Sequence, residues 1–123
     1  WQALMLPVTS VVINLSSVRD LEAKVERPVD PLRFRGNVYV EGWPAWAEND
    51  WPDREITLGT ARAKIYKPIV RCAATDVDPA TALRDMDLPA DLHRLYGHLF
   101  CGVYLHITEG GDIAVGDAVS EAL

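Results

Sequence analysis

Cys72 is the residue of this 123-residue chain whose surroundings most resemble those of a reactive thiol. It directly follows Arg71 at the end of a probable buried strand. Thiolate is the form of cysteine that acts as nucleophile and metal ligand, and a neighbouring cation favours it. Cys72 is therefore a candidate for chemistry. The alternative is that it packs as a small apolar side chain, as free cysteines often do.

Basic residues concentrate in two segments although the chain carries a formal net charge of −6. Arg33 and Arg35 form one group, and a second group follows further along the chain: Arg62, Lys64, Lys67 and Arg71. Two such segments could converge on one anionic ligand. Arg62 and Lys64 alternate along a predicted strand, and we expect them simply to face water. The acidic balance argues against general binding of nucleic acid.

The remaining chemical candidates are weaker. The two cysteines form no CxxC pair, and the three histidines lack zinc spacing. We expect Cys101, before Gly102 at a strand start, to be structural. Glu48 and Asp50 are interpreted as surface acids of a turn, although a glycosidase-type acid pair is the alternative. Cysteine usage favours a reducing compartment such as the cytoplasm, and neither a membrane helix nor a signal peptide is predicted.

The elements that position Cys72 are predicted to be mostly strands. Val8–Asn14 is a β-branched strand, and Ser16 or Ser17 is expected to cap the helix that follows. Leu32–Glu41 is predicted as a strand that places Phe34, Val38 and Val40 on one face. Arg35, Asn37 and Tyr39 then share the opposite face.

Further strands follow the tryptophan-rich segment 42–53. A hairpin joins 55–58 to 61–72 through Gly59 and Thr60. Pro89 opens a helix that ends at Gly97, and strands are predicted at 103–107 and 113–115. Trp43, Trp46 and Trp51 are expected to cover the end of a β-core rather than to stack on a ligand. The chain is thus predicted to be one mainly β domain over 1–123, a barrel or sandwich with a few short helices.

Five motifs in order resemble the MOSC domain, the family named for the C-terminal domain of molybdenum cofactor sulfurases. They are Arg33–Asn37, Trp46–Trp51, Arg71–Cys72 with Thr75–Thr81, Cys101–Tyr104 and Ile113–Asp117. The resemblance implies a MOSC-type β-barrel that binds a molybdopterin-type molybdenum cofactor. By matching to the amidoxime-reducing members, Cys72 would be the molybdenum ligand and the catalytic thiol. Arg35, Asn37 and Arg71 would hold the cofactor.

The resemblance leaves three functions open. In the first, molybdenum held by Cys72 reduces N-hydroxylated substrates, with electrons from a separate transfer protein. In the second, Cys72 carries a persulfide received from a sulfur-donor protein and passes its sulfur to a metal centre or cofactor. In the third, the domain is a non-catalytic module that binds the cofactor or serves an interaction.

The chain departs from the family pattern in several respects, with Gly36 where many relatives have Pro and Ala82 where a turn Gly is common. Asp76 stands where the amidoxime reducers have Thr, and an N-terminal portion present in larger relatives is expected to be missing. A role for pyridoxal phosphate is implied only by association, because the founding domain is fused to a sulfurase that uses this cofactor. Lys67 is the only lysine near the motif, and we interpret it as a solvated side chain.

Overall fold

The computed structural model describes residues 8–114 and 116–121 of the chain. The strands are β1 (Thr9–Asn14), β2 (Val38–Val40), β3 (Glu55–Leu58), β4 (Ala61–Val70), β5 (Phe100–Glu109) and β6 (Val119–Glu121). The helices are α1 (Leu15–Val25) and α2 (Leu88–Tyr96), with short 3-10 turns at Pro31–Phe34, Ala47–Asp50 and Ala73–Asp76. No helix within the described ranges is both long and apolar enough to cross a membrane.

The six described strands form one curled sheet in the order β2-β1-β5-β4-β3-β6. β1 and β2 run parallel, and every other neighbouring pair is antiparallel. The sheet is a half-barrel whose edge strands are β2 and β6. The prediction of a mainly β, MOSC-type barrel with a few short helices is therefore confirmed at the level of fold. Val115, in the last predicted strand, lies outside the described residues.

Apolar side chains fill both faces of the sheet. The first core, inside the curl, contains Val12, Val38, Val40, Ile56, Leu58, Ala63, Ile65, Val103, Leu105 and Ile113. The second core, which includes helix residues, contains Ile13, Val18, Leu21, Val29, Phe34, Met86, Leu88, Leu92 and Cys101. Val12 and Ile13 are adjacent in β1 and enter different cores, because successive side chains of a strand point to opposite faces.

Helix α1 begins two or three residues earlier than its serines suggested. Asn14, not Ser16 or Ser17, is the N-cap, and its side-chain oxygen accepts a hydrogen bond from the Ser16 amide at 3.0 Å. Asn is as good a cap as Ser, since its short side chain reaches the same orphan amides. Helix α2 begins beside Pro89 and ends at Gly97, with φ of 74°, as predicted.

The predicted strand over Leu32–Glu41 is wrong in its first half. Pro31–Phe34 forms a 3-10 turn, capped by the Asp30 carboxylate on the Leu32 amide at 2.9 Å. Arg35 then takes a left-handed conformation with φ of 53°. Only Val38–Val40 is strand, so alternation along one strand does not place Arg35 and Asn37 on a common face.

The hairpin and the tryptophan segment follow the prediction. β3 and β4 pair through Leu58 and Ala61, and the Gly59 turn residue has φ of 59°. Trp43 and Trp51 pack on the first core and Trp46 on the second. These three side chains therefore serve the β-core, as expected.

Candidate functional site

Cys72 is exposed at the end of β4, where the chain leaves the sheet. Its backbone is extended, with φ of −123° and ψ of −177°, and it is the N-cap of the 3-10 turn Ala73–Asp76. The Cys72 carbonyl accepts hydrogen bonds from the Thr75 amide at 3.1 Å and the Thr75 hydroxyl at 2.9 Å. The Cys72 thiol therefore lies at the start of a turn whose backbone is held by the side chain of Thr75.

The Arg71 side chain lies back along the protein surface instead of extending into water. Its Nε donates to the Cys101 carbonyl at 2.8 Å, and its Cζ lies 5.4 Å from the centre of the Phe34 ring. Its Nη2 is buried and has no hydrogen-bond partner among the described residues. Burial, the largest influence, lowers the pKa of this guanidinium from its ordinary value. A buried donor without an acceptor is costly, and an anion would supply one.

A β-bulge in β5 provides the carbonyl that Arg71 uses. Pro68 pairs with Val103 and Val70 with Phe100, so β5 carries one residue more than β4 between these pairs. Such an extra residue is left out of the regular ladder. Gly102, with φ of 86°, lies in this bulge, and its lack of a side chain leaves room for the Arg71 guanidinium. A Cβ at Gly102 would meet Arg71 Nη2 at 3.2 Å.

Arg35 and Asn37 lie on the neighbouring segment between the 3-10 turn and β2. Both are exposed. The Asn37 side-chain oxygen accepts from the Val11 amide at 2.7 Å, and the Asn37 amide donates to the Val11 carbonyl at 2.8 Å. Asn37 therefore extends the pairing of β1 with β2. Arg35 is the residue after Phe34, whose ring Arg71 covers.

The structure thus brings Arg71 to the segment that carries Arg35, although the two arginines are 36 positions apart in the sequence. Cys72 is next to Arg71 and stays exposed at the same strand end. The Arg35 side chain and the Cys72 thiol are exposed, whereas Arg71 is half-buried. Within the described ranges, no cluster of three or more His, Cys, Asp or Glu side chains could hold a metal ion.

Cys101 is wholly buried, and that burial raises the pKa of its thiol to about 12. It lies in the second core with Ile13 and Phe34. The expectation that Cys101 is structural is confirmed.

Glu48 is not the surface acid that its sequence context suggested. It is wholly buried and accepts hydrogen bonds from Asn14 Nδ2 and Ser17 Oγ, each at 2.8 Å. Burial, the largest influence, raises the pKa of this carboxyl. Its partners lie 34 and 31 residues earlier in the chain, so the local sequence carries no signal of this role.

A cavity of about 790 Å³ lies between the two edges of the half-barrel. Residues 37–41 of the β2 edge line one side, and described residues around β6, including Ile113, Asp117 and Val119, line the other. The Asp117 carboxylate accepts from the Ala114 amide at 2.8 Å, which fixes this second wall. Asn37 is the predicted site residue that reaches the cavity.

Comparisons with known proteins agree with this fold and motif order. The sequence profile of the MOSC domain matches residues 9–120. The mouse mitochondrial amidoxime-reducing component 1 is 31% identical over 89% of this chain, and the human protein of that name is 30% identical. The match covers 35% of each of these two relatives, so the chain spans about a third of their length.

Two further matches are a sulfurase that aligns with less of the chain and a solved structure of low sequence identity. Molybdenum cofactor sulfurase of Anopheles gambiae is 33% identical over 79% of the chain and 14% of its own length. The crystal structure of YiiM from Geobacillus stearothermophilus superposes with a TM-score of 0.76 at 16% identity. That match covers 99% of this chain and 61% of YiiM, and it concerns the fold alone.

Proposed function

Because the chain belongs to the MOSC domain family, we propose that it holds a molybdopterin-type molybdenum cofactor beside Cys72 and reduces N-hydroxylated substrates there. The observation that carries the proposal is the arrangement of Arg71. Its Nη2 is buried without a hydrogen-bond partner among the described residues, its Cζ lies over the ring of Phe34 beside Arg35, and the exposed Cys72 is the next residue in the chain. These residues fit such a cofactor chemically, because the two arginines can bind an anionic group and the Cys72 sulfur is a soft ligand that suits a thiophilic metal.

The chain's own residues bind and orient the cofactor in this proposal. Arg35 and Arg71 bind its anionic part, since guanidinium groups form paired hydrogen bonds with phosphate oxygens. Asn37 holds the Arg35 segment to β1 through Val11, and its side-chain NH2 group would contact the cofactor. Cys72 supplies the thiolate ligand from a turn that Thr75 fixes.

The bound cofactor supplies a two-electron redox centre to the reaction. Reduction of an N-hydroxylated compound breaks its N–O bond, consumes two electrons and two protons, and releases water. The electrons come from a separate electron-transfer protein. The names of the amidoxime-reducing relatives support this reaction class.

Sulfur transfer is the second candidate, and two observations favour it. Cys72 is exposed, as a persulfide carrier must be, and the chain is similar to a molybdenum cofactor sulfurase. The step would move the outer sulfur of a Cys72 persulfide to an acceptor and leave the thiolate. The persulfide would be loaded by a sulfur-donor protein.

Molybdenum content separates these functions. Wild-type protein and Cys72→Ala are purified from a host that makes the cofactor, and molybdenum is measured per protein. We expect near-stoichiometric metal in the wild type and its loss in Cys72→Ala. Cys101→Ala is the matched control, because it removes a thiol that is buried in the core, and it should retain the metal.

Absence of molybdenum from both the wild type and Cys101→Ala would refute the reductase proposal. Persulfide on Cys72 would then support sulfur transfer. A chain with neither molybdenum nor persulfide would be a non-catalytic module.

A further inference from the structure

Arg33 is a buried cation that the proposed chemistry does not use. Its side chain is 4% exposed, and its Nη2 donates to both carboxylate oxygens of Asp85, at 2.8 and 2.9 Å. Its Nη1 donates to the Thr75 carbonyl at 3.3 Å. We name these three residues the Arg33 bridge.

The Arg33 bridge connects two parts of the candidate site. Arg33 is two residues before Arg35, in the 3-10 turn that also supplies Phe34. Thr75 is three residues after Cys72 and holds the Cys72 carbonyl through its amide and hydroxyl. One guanidinium therefore ties the segment of the proposed cofactor-binding arginine to the turn of the proposed metal ligand.

Asp76 fixes the same turn from its other side. Its side chain is 1% exposed, and its Oδ1 accepts from the Leu88 amide at 2.7 Å, at the start of α2. Its backbone carbonyl accepts from the Asp85 amide at 3.1 Å. Arg84 Nη2 forms an ion pair with Asp76 Oδ2 at 3.2 Å, and Oδ2 accepts no hydrogen bond from the described residues. The turn is therefore held to residues 84–88, which also carry the carboxylate of the bridge.

We infer that Arg33, with Asp85, is a positioning residue that sets where the Cys72 turn lies relative to Arg35 and Arg71. The inference rests on the proposed function for its consequence in cofactor binding. A buried ion pair of this kind is weak evidence for a stabilising role, because apolar replacements of similar size often stabilise as well. Its role here is geometric, because the planar guanidinium contacts Thr75 and Asp85 through two different nitrogens in a fixed plane, whereas a lysine has one nitrogen for both.

The test compares a paired apolar variant with a matched control. Arg33→Met/Asp85→Leu removes both charges together and so leaves no unpaired buried ion. Arg19→Met/Glu41→Leu removes an exposed ion pair elsewhere, with side chains 63% and 70% exposed, and makes the same change in charge. Both are measured for melting temperature, amide hydrogen exchange and molybdenum content.

We expect the melting temperature to stay close to wild type in both paired variants. Exchange at the Thr75 and Val77 amides, which donate within the turn, should accelerate about tenfold or more in Arg33→Met/Asp85→Leu alone. Retention of molybdenum should weaken about tenfold in that variant. If the Arg33 bridge were merely structural, a paired variant as stable as the wild type would show unchanged hydrogen exchange at these two amides and unchanged molybdenum content.

If the paired variant does not fold, the same measurements are made on Arg33→Lys. This variant keeps the positive charge but has one nitrogen in place of the two that contact Thr75 and Asp85. Unchanged exchange at Thr75 and Val77 in a folded variant would overturn the inference. The exchange measurement needs no cofactor. Accelerated exchange in the paired variant, together with a wild type that contains no molybdenum, would therefore refute the proposed function alone. Molybdenum in the wild type with unchanged exchange would refute the positioning role alone.

Discussion

Two cysteines near the Arg71 side chain have opposite environments. Cys72 is exposed at a strand end, and Cys101 is wholly buried in the bulge of β5. Arg71 is bonded to the backbone of Cys101 and adjacent in sequence to Cys72. Proximity to a cation therefore does not by itself make a thiol reactive, since burial opposes formation of the thiolate.

Alkylation of the folded protein should distinguish the two thiols. We expect iodoacetamide to modify Cys72 at least about 100-fold faster than Cys101, because the reagent needs an accessible thiolate. Mass spectrometry of the single-thiol variants Cys72→Ala and Cys101→Ala gives each rate separately. Faster modification of Cys101 would contradict the assignment of roles, whereas equal rates are expected only in denaturant.

Sequence reasoning identified Cys72, Arg35, Asn37 and Arg71 as candidates, and the structure places Arg71 beside the Arg35 segment. Sequence reasoning did not show that Arg33 and Glu48 are buried. Arg33 looked like one more cation of a basic group, and only its contacts with Thr75 and Asp85 show it to be internal. Such contacts depend on tertiary packing, which composition and periodicity do not encode.

At the scale of elements, the bulge in β5 decides which way its side chains point. Val103 and Leu105 enter the first core, whereas Cys101 enters the second, although regular alternation would put all three on one face. The extra residue reverses the alternation. It also presents the Cys101 carbonyl to Arg71 Nε. Gly102 makes this possible because its φ of 86° disfavours any side chain.

Gly102→Ala should lower the free energy of unfolding by about 1–3 kcal/mol. Its Cβ would lie 2.8 Å from Ile13 Cδ1 and 2.9 Å from the Val12 carbonyl oxygen, in addition to the strain of a positive φ. Gly110→Ala is the control, since a Cβ there meets nothing within 4 Å. Urea denaturation measures both. Equal stability of the two variants would show that the bulge imposes no such constraint.

The elements that could be predicted were those with strong local signals. The hairpin of β3 and β4 has a Gly-containing turn, and α2 has a proline at its start and Gly97 at its end. The segment after Pro31 was assigned wrongly because its apolar spacing fits a strand, while the Asp30 cap and Pro31 fix a 3-10 turn. Capping overrode alternation there.

At the scale of the whole molecule, the two cores share their central strands. β1 supplies Val12 to the first core and Ile13 to the second, and β5 supplies residues to both. β1 and β5 are neighbours within the sheet. Loosening either core therefore disturbs strands on which the other depends.

Leu105→Ala in the first core and Leu92→Ala in the second should each cost about 2–5 kcal/mol of stability. Both side chains are fully buried. Each variant should still unfold in one transition, with tryptophan fluorescence and far-UV circular dichroism coinciding. Leu83→Ala, at a side chain 65% exposed, is the control and should change stability little. Separate transitions for the two variants would show that the cores fold independently.

The sequence predicted the class of the fold but not the order of its strands. Period-2 patterns identify strands without saying which are neighbours. The parallel pairing of β1 with β2, and the placement of β5 between β1 and β4, follow from packing over the whole chain. The facing edges of the half-barrel and the cavity between them were therefore not foreseen.

The spacing of the site's contacts along the chain has a consequence for folding. Arg71 and Cys101 are 30 residues apart, Arg33 and Thr75 are 42 apart, and Arg33 and Asp85 are 52 apart. Closing loops of this length costs entropy before any contact repays it. The candidate site therefore assembles only as the central sheet forms, and an excised peptide around Cys72 would retain the motif without the site.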